Sequence, residues 1–143
     1  MTDKGFTPMW EYANRRRLPI LIHTWGGGYD SPAMLKDIAR QYPEASFLLG
    51  HTGGSNTGRA EAEALALENP NVYLEWCGSF CSSTLWEDTL KKVNPRQVVF
   101  GTDAVAHGIP WELGRLLSLD VPDKILVPIL GANMRRILAR RKR

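Results

Sequence analysis

Four short and almost entirely apolar runs recur along the chain, and none of them alternates apolar with polar positions. They cover residues 19–22, 47–49, 72–74 and 98–100. An apolar run of this length without alternation is typical of a parallel strand that is covered on both faces. The pattern therefore predicts four buried parallel strands.

Segments with helical spacing or helix-forming composition occupy the intervals between these runs. The predicted helices cover about residues 8–17, 31–42, 57–68, 82–93 and 111–119. Ser31, which precedes Pro32, has the residue type of a helix N-cap. The last stretch, residues 124–143, is expected to form two short helices broken near Pro128 and Gly131, because proline removes an intrahelical hydrogen bond.

The alternation of strands and helices with short loops predicts an α/β fold with a parallel sheet and right-handed crossovers. The spacing is regular, since one strand-helix unit separates His23 from His51 and two such units separate His51 from Asp103. We expect one domain over residues 1–143, in which residues 139–143 form a basic tail.

Composition and charge narrow the class of protein. The chain is 43% hydrophobic and 23% charged, which is ordinary for a globular domain. No apolar run approaches the roughly 20 residues of a membrane span, and the first residues lack a signal-peptide pattern. We therefore expect a soluble, cytoplasmic protein without a membrane partner.

The net charge of +3 is concentrated in two clusters, Arg15–Arg17 and the basic tail. Such clusters can bind nucleic acid or a membrane surface, or they can be solvated helix ends that complement the helix dipole. The second interpretation is favoured, because no groove-reading motif accompanies the charge, and no nucleic-acid partner is expected. The spacing of the two cysteines, Cys77 and Cys81, is that of neither a redox motif nor a zinc site. We therefore expect Cys77 to be a small residue at a strand end and Cys81 to lie in a loop.

Three of the strand runs are followed by a residue that can bind a metal ion or move a proton. His23 follows the first run, His51 follows the second in FLLGHTGG, and Asp103 follows the fourth in VVFGTD. The carboxyl ends of parallel strands meet at one edge of a sheet, so we expect these side chains to share a cavity. Nitrogen and carboxylate ligands suit zinc and similar divalent ions, and such an ion acidifies water near neutral pH.

Each of these features also has a structural interpretation. A histidine after a strand can simply pack, and Asp103 can cap the following turn. The glycine loops, 26–28 and 53–54, can bring backbone close to a substrate or can only mark turns. His107 lies further along the loop that follows the fourth strand, and we rank it below the other three.

The runs LPILIH, FLLGHTGG, NVYLE and VVFGTD, with the late GANMRRIL, resemble the C-terminal half of amidohydrolase-superfamily (β/α)8 barrels, over about residues 6–139. The most similar branch contains metal-dependent hydrolases and aminocarboxymuconate-semialdehyde decarboxylases. The resemblance implies strands 5–8 of a TIM barrel, with His23, His51 and Asp103 as metal ligands. It implies catalytic roles for Asp103, as general acid or base, and for His51. It also implies a pocket-shaping role for Glu75 and Trp76 and a structural one for Asn133.

The resemblance implies a metal-dependent hydrolase that cleaves C–N or C–O bonds of a small molecule, with zinc as the expected ion. The alternatives are a non-oxidative decarboxylase on the same scaffold and a non-catalytic, self-associating half barrel. The family's first strand carries a His-x-His pair, which this chain, with its few histidines, lacks. A full barrel has roughly 250 residues. The shorter length of this chain therefore predicts a homodimer, a complementing N-terminal half, or a fragment of a longer protein.

Overall fold

The four predicted strands form one parallel sheet. The structure is a computed structural model that describes residues 1–78, 83–104 and 106–142. The strands are β1 (Pro19–His23), β2 (Ser46–Gly50), β3 (Val72–Trp76) and β4 (Val98–Phe100), in the order β1-β2-β3-β4. Every neighbouring pair is parallel, as the apolar pattern predicted.

Helices follow each strand and also open the chain. They are α1 (Thr7–Arg16), α2 (Lys36–Gln41), α3 (Asn56–Glu68), α4 (Ser83–Lys92), α5 (Ile109–Leu117), α6 (Asp123–Val127) and α7 (Asn133–Ala139). Ser31 lies at the N-cap position before the 3-10 turn Pro32–Leu35, but its hydroxyl donates to Glu61 instead of capping. None of the described helices is long and apolar enough to cross a membrane.

The two short α-helices predicted for residues 124–143 are present as α6 and α7, but the segment between them is helical and not a full break. Residues Pro128–Ala132 form a π-helical turn that joins α6 to α7, and Pro128 keeps helical angles, with φ −61° and ψ −36°. A wider π turn accommodates a proline ring by shifting the hydrogen-bonding pattern, as in other π-bulges within helices. The π turn therefore keeps the backbone helical between α6 and α7.

The two faces of the sheet are covered differently. Phe47, Leu49 and Leu74 point into the main core with residues of the surrounding helices. The alternate residues Leu48 and Tyr73 belong to a second cluster that includes Val99 and Ile137. Because side chains alternate across a strand, the second cluster lies on the opposite, inner face, where α7 packs.

Helix α7 crosses the amino-terminal edge of the sheet. The Asn133 Nδ2 group donates to Pro95 O at 2.9 Å and to Val98 O at 2.8 Å, at the start of β4. The Arg140 guanidinium reaches Ser46 Oγ at 3.1 Å, at the start of β2. The inner face is thus covered at its amino end and remains open at its carboxyl end. The contacts of Asn133 support the structural role that the resemblance implied.

Candidate functional site

A cleft of about 420 Å³ opens at the carboxyl edge of the sheet. Its lining comprises Leu21, His23, Gly50, His51, Glu75, Cys77, Thr102, Asp103 and Ala104. The three residues singled out from the sequence therefore share one cavity, as the parallel arrangement predicted. Their metal-binding and catalytic roles stay predictions.

His23 and His51 lie side by side because of the strand register. His23 is paired with Gly50 in β2, so His51 follows immediately on the neighbouring strand. The two imidazole ring centroids are 4.9 Å apart, with the rings edge to face at 69°. The Nδ1 atom of His23 is 2.9 Å from Asp30 Oδ2. Sequence reasoning missed Asp30, since only the conformation of the 24–30 loop brings it back to the strand.

The backbone at His51 and Thr52 adopts an unusual conformation. Their φ angles are 61° and 47°, both positive. This region costs a non-glycine residue on the order of 1–2 kcal/mol. The Thr52 hydroxyl donates to Glu75 O at 3.0 Å, and Gly54 N donates to His51 O at 2.9 Å. These bonds hold the turn that aims the His51 ring into the cleft.

The environment of His51 favours its neutral form. Burial lowers the pKa of His51, and Asp103 opposes that shift while His23 adds to it. The Sγ atom of Cys77 is 3.2 Å from His51 Nδ1. Burial raises the pKa of the Cys77 thiol, so it stays protonated at neutral pH, which disfavours a thiolate role. Cys81, for which we predicted a loop position, lies outside the described residues.

Glycines let two loops of the site pack against each other. Gly26 N donates to Gly53 O at 2.9 Å. A Cβ atom added to Gly58 would lie 1.9 Å from Gly53 O, and one added to Gly26 would lie 2.3 Å from Gly58 N. The close backbone approach in this structure is therefore among the 24–30 loop, the turn after β2 and the first turn of α3.

Glu75 is a buried carboxyl group in the cleft, and sequence reasoning had given it only a pocket-shaping role. The residue is 8% exposed, and its Oε2 atom is 3.4 Å from His51 N. Burial raises the pKa of Glu75 to about 7. A Cβ atom on Gly101 would lie 1.3 Å from Glu75 Oε1, so a larger residue at 101 would displace the Glu75 carboxyl group from its present position.

Asp103 begins a turn after β4. Its φ angle is 49°, and its carbonyl oxygen accepts from Ala106 N at 2.8 Å and from His107 N at 3.0 Å. The backbone carbonyl holds this turn, while the carboxylate is exposed in the cleft. His107 is not among the lining residues, and its Nδ1 atom is 3.7 Å from Glu112 Oε1.

The imidazole nitrogens and the carboxylate oxygens in the cleft suit a divalent ion, but they do not form a complete set of metal ligands. In the described ranges, no three His, Cys, Asp or Glu side chains form a group that would hold a metal ion. His23 nevertheless has the arrangement of a metal ligand, since a carboxylate accepts from Nδ1 and Nε2 is the nitrogen left to bind. His23, His51 and Asp103 therefore fit part of a metal centre.

Comparison with known proteins identifies the family. The model of the amidohydrolase family matches residues 2–140, which is nearly the whole chain. The chain belongs to the amidohydrolase family. This confirms the resemblance inferred from the sequence motifs. Among curated proteins, no match to this chain was found.

Solved structures share the fold of this chain. A 5-carboxyvanillate decarboxylase from Sphingomonas paucimobilis has a TM-score of 0.71 at 13% identity, covering 96% of this chain and 54% of that one. A 2,6-dihydroxybenzoate decarboxylase from Rhizobium has a TM-score of 0.74 at 14% sequence identity, and the match covers 96% of this chain and 56% of that one. A dihydroxybenzoic acid decarboxylase from Polaromonas sp. JS666 was solved with bound manganese and the inhibitor 2-nitroresorcinol. It has a TM-score of 0.74 at 16% sequence identity, and the match covers 96% of this chain and 54% of that one.

The chain spans about half the length of these structures. Its four parallel βα units form a partial TIM barrel, as predicted. In such barrels the functional residues lie at the carboxyl ends of the strands, which is the edge where the cleft opens.

Proposed function

We propose that this chain supplies the C-terminal half of the active site of a divalent-metal-dependent, non-oxidative decarboxylase of small carboxylic acids. The observation that carries the proposal is the shared cleft of His23, His51 and Asp103 at the catalytic edge of the family fold. It is supported by the fold likeness to three decarboxylases, one of which contains manganese.

His23 and Asp103, with His51 beside them, would hold the ion, and further ligands would come from outside the described residues. When bound, the ion supplies a Lewis acid that polarises a substrate oxygen. Zinc was expected from the sequence, and manganese is the ion of one structural neighbour, so both belong in the test.

In this reaction the bond between a substrate carbon and its carboxylate breaks, and carbon dioxide leaves. The electron pair stays on the carbon, which then takes up a proton. Asp103, which is exposed in the cleft, is the residue proposed to deliver that proton as general acid. His51, whose ring lies against His23, would orient the substrate.

Hydrolysis of a C–N or C–O bond is the second candidate, and the match to the amidohydrolase family model favours it. In that case Asp103 would take a proton from the attacking water and return it to the leaving group. The two candidates use the same residues and differ in the product.

We also propose that a second half barrel closes the site. Leu21 lies on the edge strand β1 with 67% of its surface exposed in the cleft, although it is apolar. Exposed strand edges and apolar faces favour association. The occupant is either a second copy of the chain or a complementing N-terminal half, and sedimentation of the chain at several concentrations separates these cases.

The test is carbon dioxide release from 2,6-dihydroxybenzoate by the assembled protein loaded with Mn²⁺ or Zn²⁺, alongside amide, ester and lactone substrates. Asp103→Asn is expected to lower the rate by about 10²–10⁴-fold, the usual contribution of a general acid. Asp88→Asn makes the same chemical change on the outer helix α4 and should leave the rate unchanged. Turnover without a divalent ion, or wild-type turnover by Asp103→Asn, would overturn the proposal.

A further inference from the structure

Glu112 is a fully buried carboxylate near the site, and no role has yet been assigned to it. It lies on α5 with 0% of its surface exposed. Its Oε2 atom accepts from Trp76 Nε1 at 3.1 Å and from an Arg115 nitrogen at 2.7 Å. Its Oε1 atom accepts from Gly78 N at 3.1 Å. A buried charge needs such partners, because its desolvation is otherwise very unfavourable.

A purely structural role of Glu112 explains the contacts of only one of its two carboxylate oxygens. The Arg115 guanidinium neutralises the carboxylate and lies 5.2 Å from the centre of the Trp76 ring. These contacts involve Oε2 and the protein core. The other oxygen, Oε1, faces the loops of the site, where it bonds Gly78 and lies 3.7 Å from His107 Nδ1.

Gly78 is the point at which the two loops meet. It follows Cys77 directly and has a positive φ of 43°. A Cβ atom added there would lie 3.1 Å from Asp103 Oδ2 and 3.1 Å from the His107 ring. The Asp103 carbonyl in turn accepts from His107 N. Glu112 therefore links the loop after β3 to the turn that carries Asp103.

We propose that Glu112 is a positioning residue, which holds these two loops together and thereby sets where the Asp103 carboxylate lies in the cleft. The inference rests on the proposed function only in treating that cleft as catalytic. A carboxylate is needed, since a glutamine would present its amide NH2 group to at least one of the surrounding donors.

The test compares Glu112→Gln with Glu63→Gln by amide hydrogen exchange and backbone NMR of the full chain. Glu63 is also a buried carboxylate, with Arg59, Thr89 and Lys92 as partners between α3 and α4, but it does not touch the site loops. In Glu112→Gln the Gly78 amide should exchange about 10-fold faster or more, because its acceptor either becomes a neutral amide oxygen or is replaced by the amide NH2 group. The resonances of Thr102, Asp103 and His107 should shift, while Glu63→Gln leaves them unchanged.

A second variant keeps the inference testable if Glu112→Gln does not fold. His107→Ala removes the 3.7 Å contact without burying an unpaired charge, and it should shift the Asp103 resonances while Gly78 stays protected. Unchanged Gly78 exchange in Glu112→Gln, equal loop shifts in Glu63→Gln, or an unmoved Asp103 in His107→Ala each overturns the proposal.

Measuring turnover distinguishes a positioning role from a purely structural one, because a purely structural role of Glu112 would leave kcat unchanged. In Glu112→Gln kcat should fall by about 10-fold or more relative to Glu63→Gln, with a smaller change in KM, because the proton-transfer geometry is altered more than binding. Shifted loops with unchanged kcat would overturn the positioning role. A wild-type protein without turnover would refute the proposed function, while the exchange experiment would still decide the role of Glu112.

Discussion

The stability of this protein should depend on the ionisation of one buried carboxyl group. Glu75 is 8% exposed on the inner face of the sheet, and burial raises its pKa from 4.5 to about 7. The folded state therefore binds the Glu75 proton more tightly than the unfolded state does. Where the folded state holds more protons, the free energy of unfolding falls as pH rises. The loss begins near pH 4.5 and is complete above pH 7.

The magnitude follows from the size of the shift. A pKa difference of about 2.5 units corresponds to roughly 3 kcal/mol, at about 1.4 kcal/mol per unit. Most of this change, about 2–3 kcal/mol, falls between pH 5 and pH 8. The glutamine in Glu75→Gln stays neutral at both pH values. From pH 5 to pH 8 the free energy of unfolding of this variant, relative to the wild type, should therefore rise by that amount.

Urea denaturation at pH 5 and pH 8, in the presence of a chelator, measures this difference. The chelator is needed because a bound cation would favour the ionised carboxylate. Glu11→Gln removes an exposed carboxyl group on α1. As a surface substitution, it should change this pH dependence by less than about 0.5 kcal/mol. If the gap between Glu75→Gln and wild type is the same at both pH values, the Glu75 carboxyl is not desolvated and the reasoning fails.

Three further predictions concern packing and the site loops. Asn133→Ala removes the side-chain amide that donates hydrogen bonds to two backbone carbonyl groups at the start of β4. It should lower the free energy of unfolding in urea by about 2–3 kcal/mol, and a loss below about 0.5 kcal/mol would contradict this. Gly58→Ala would bring its Cβ against Gly53 O, whereas a Cβ on Gly114 meets nothing within 4 Å. The first change should destabilise by about 1–3 kcal/mol or more, and Gly114→Ala should stabilise by about 0.5–1 kcal/mol, both read from urea denaturation. Thr52→Ala should cost about 1 kcal/mol in thermal unfolding and Thr52→Ser much less, because serine keeps the hydroxyl that bonds Glu75 O; equal losses would refute that role.

The helices and strands were largely predictable, and the exceptions have identifiable causes. The four strands follow from apolar runs that are typical of parallel strands, and their bounds lie close to the predicted ranges. The predicted burial on both faces is confirmed for β2 and β3 but is wrong for the edge strand β1, where Leu21 is 67% exposed. The two short helices at the C-terminal end were predicted, but the expected break between them is a π turn, which accommodates the Pro128 ring within helical backbone. Ser31 was assigned as a cap, but Glu61, which is distant in the chain, competes for its hydroxyl.

The sequence by itself determined that His23, His51 and Asp103 meet at one edge, because parallel strands place the residues after them on the same side of the sheet. Only the tertiary structure decided how these groups are surrounded. The proton affinity of Glu75 comes from burial, and the Glu112 network joins residues that are far apart in the chain. Such effects depend on the distance and solvent exposure of groups brought together by folding, which no local pattern of residues records.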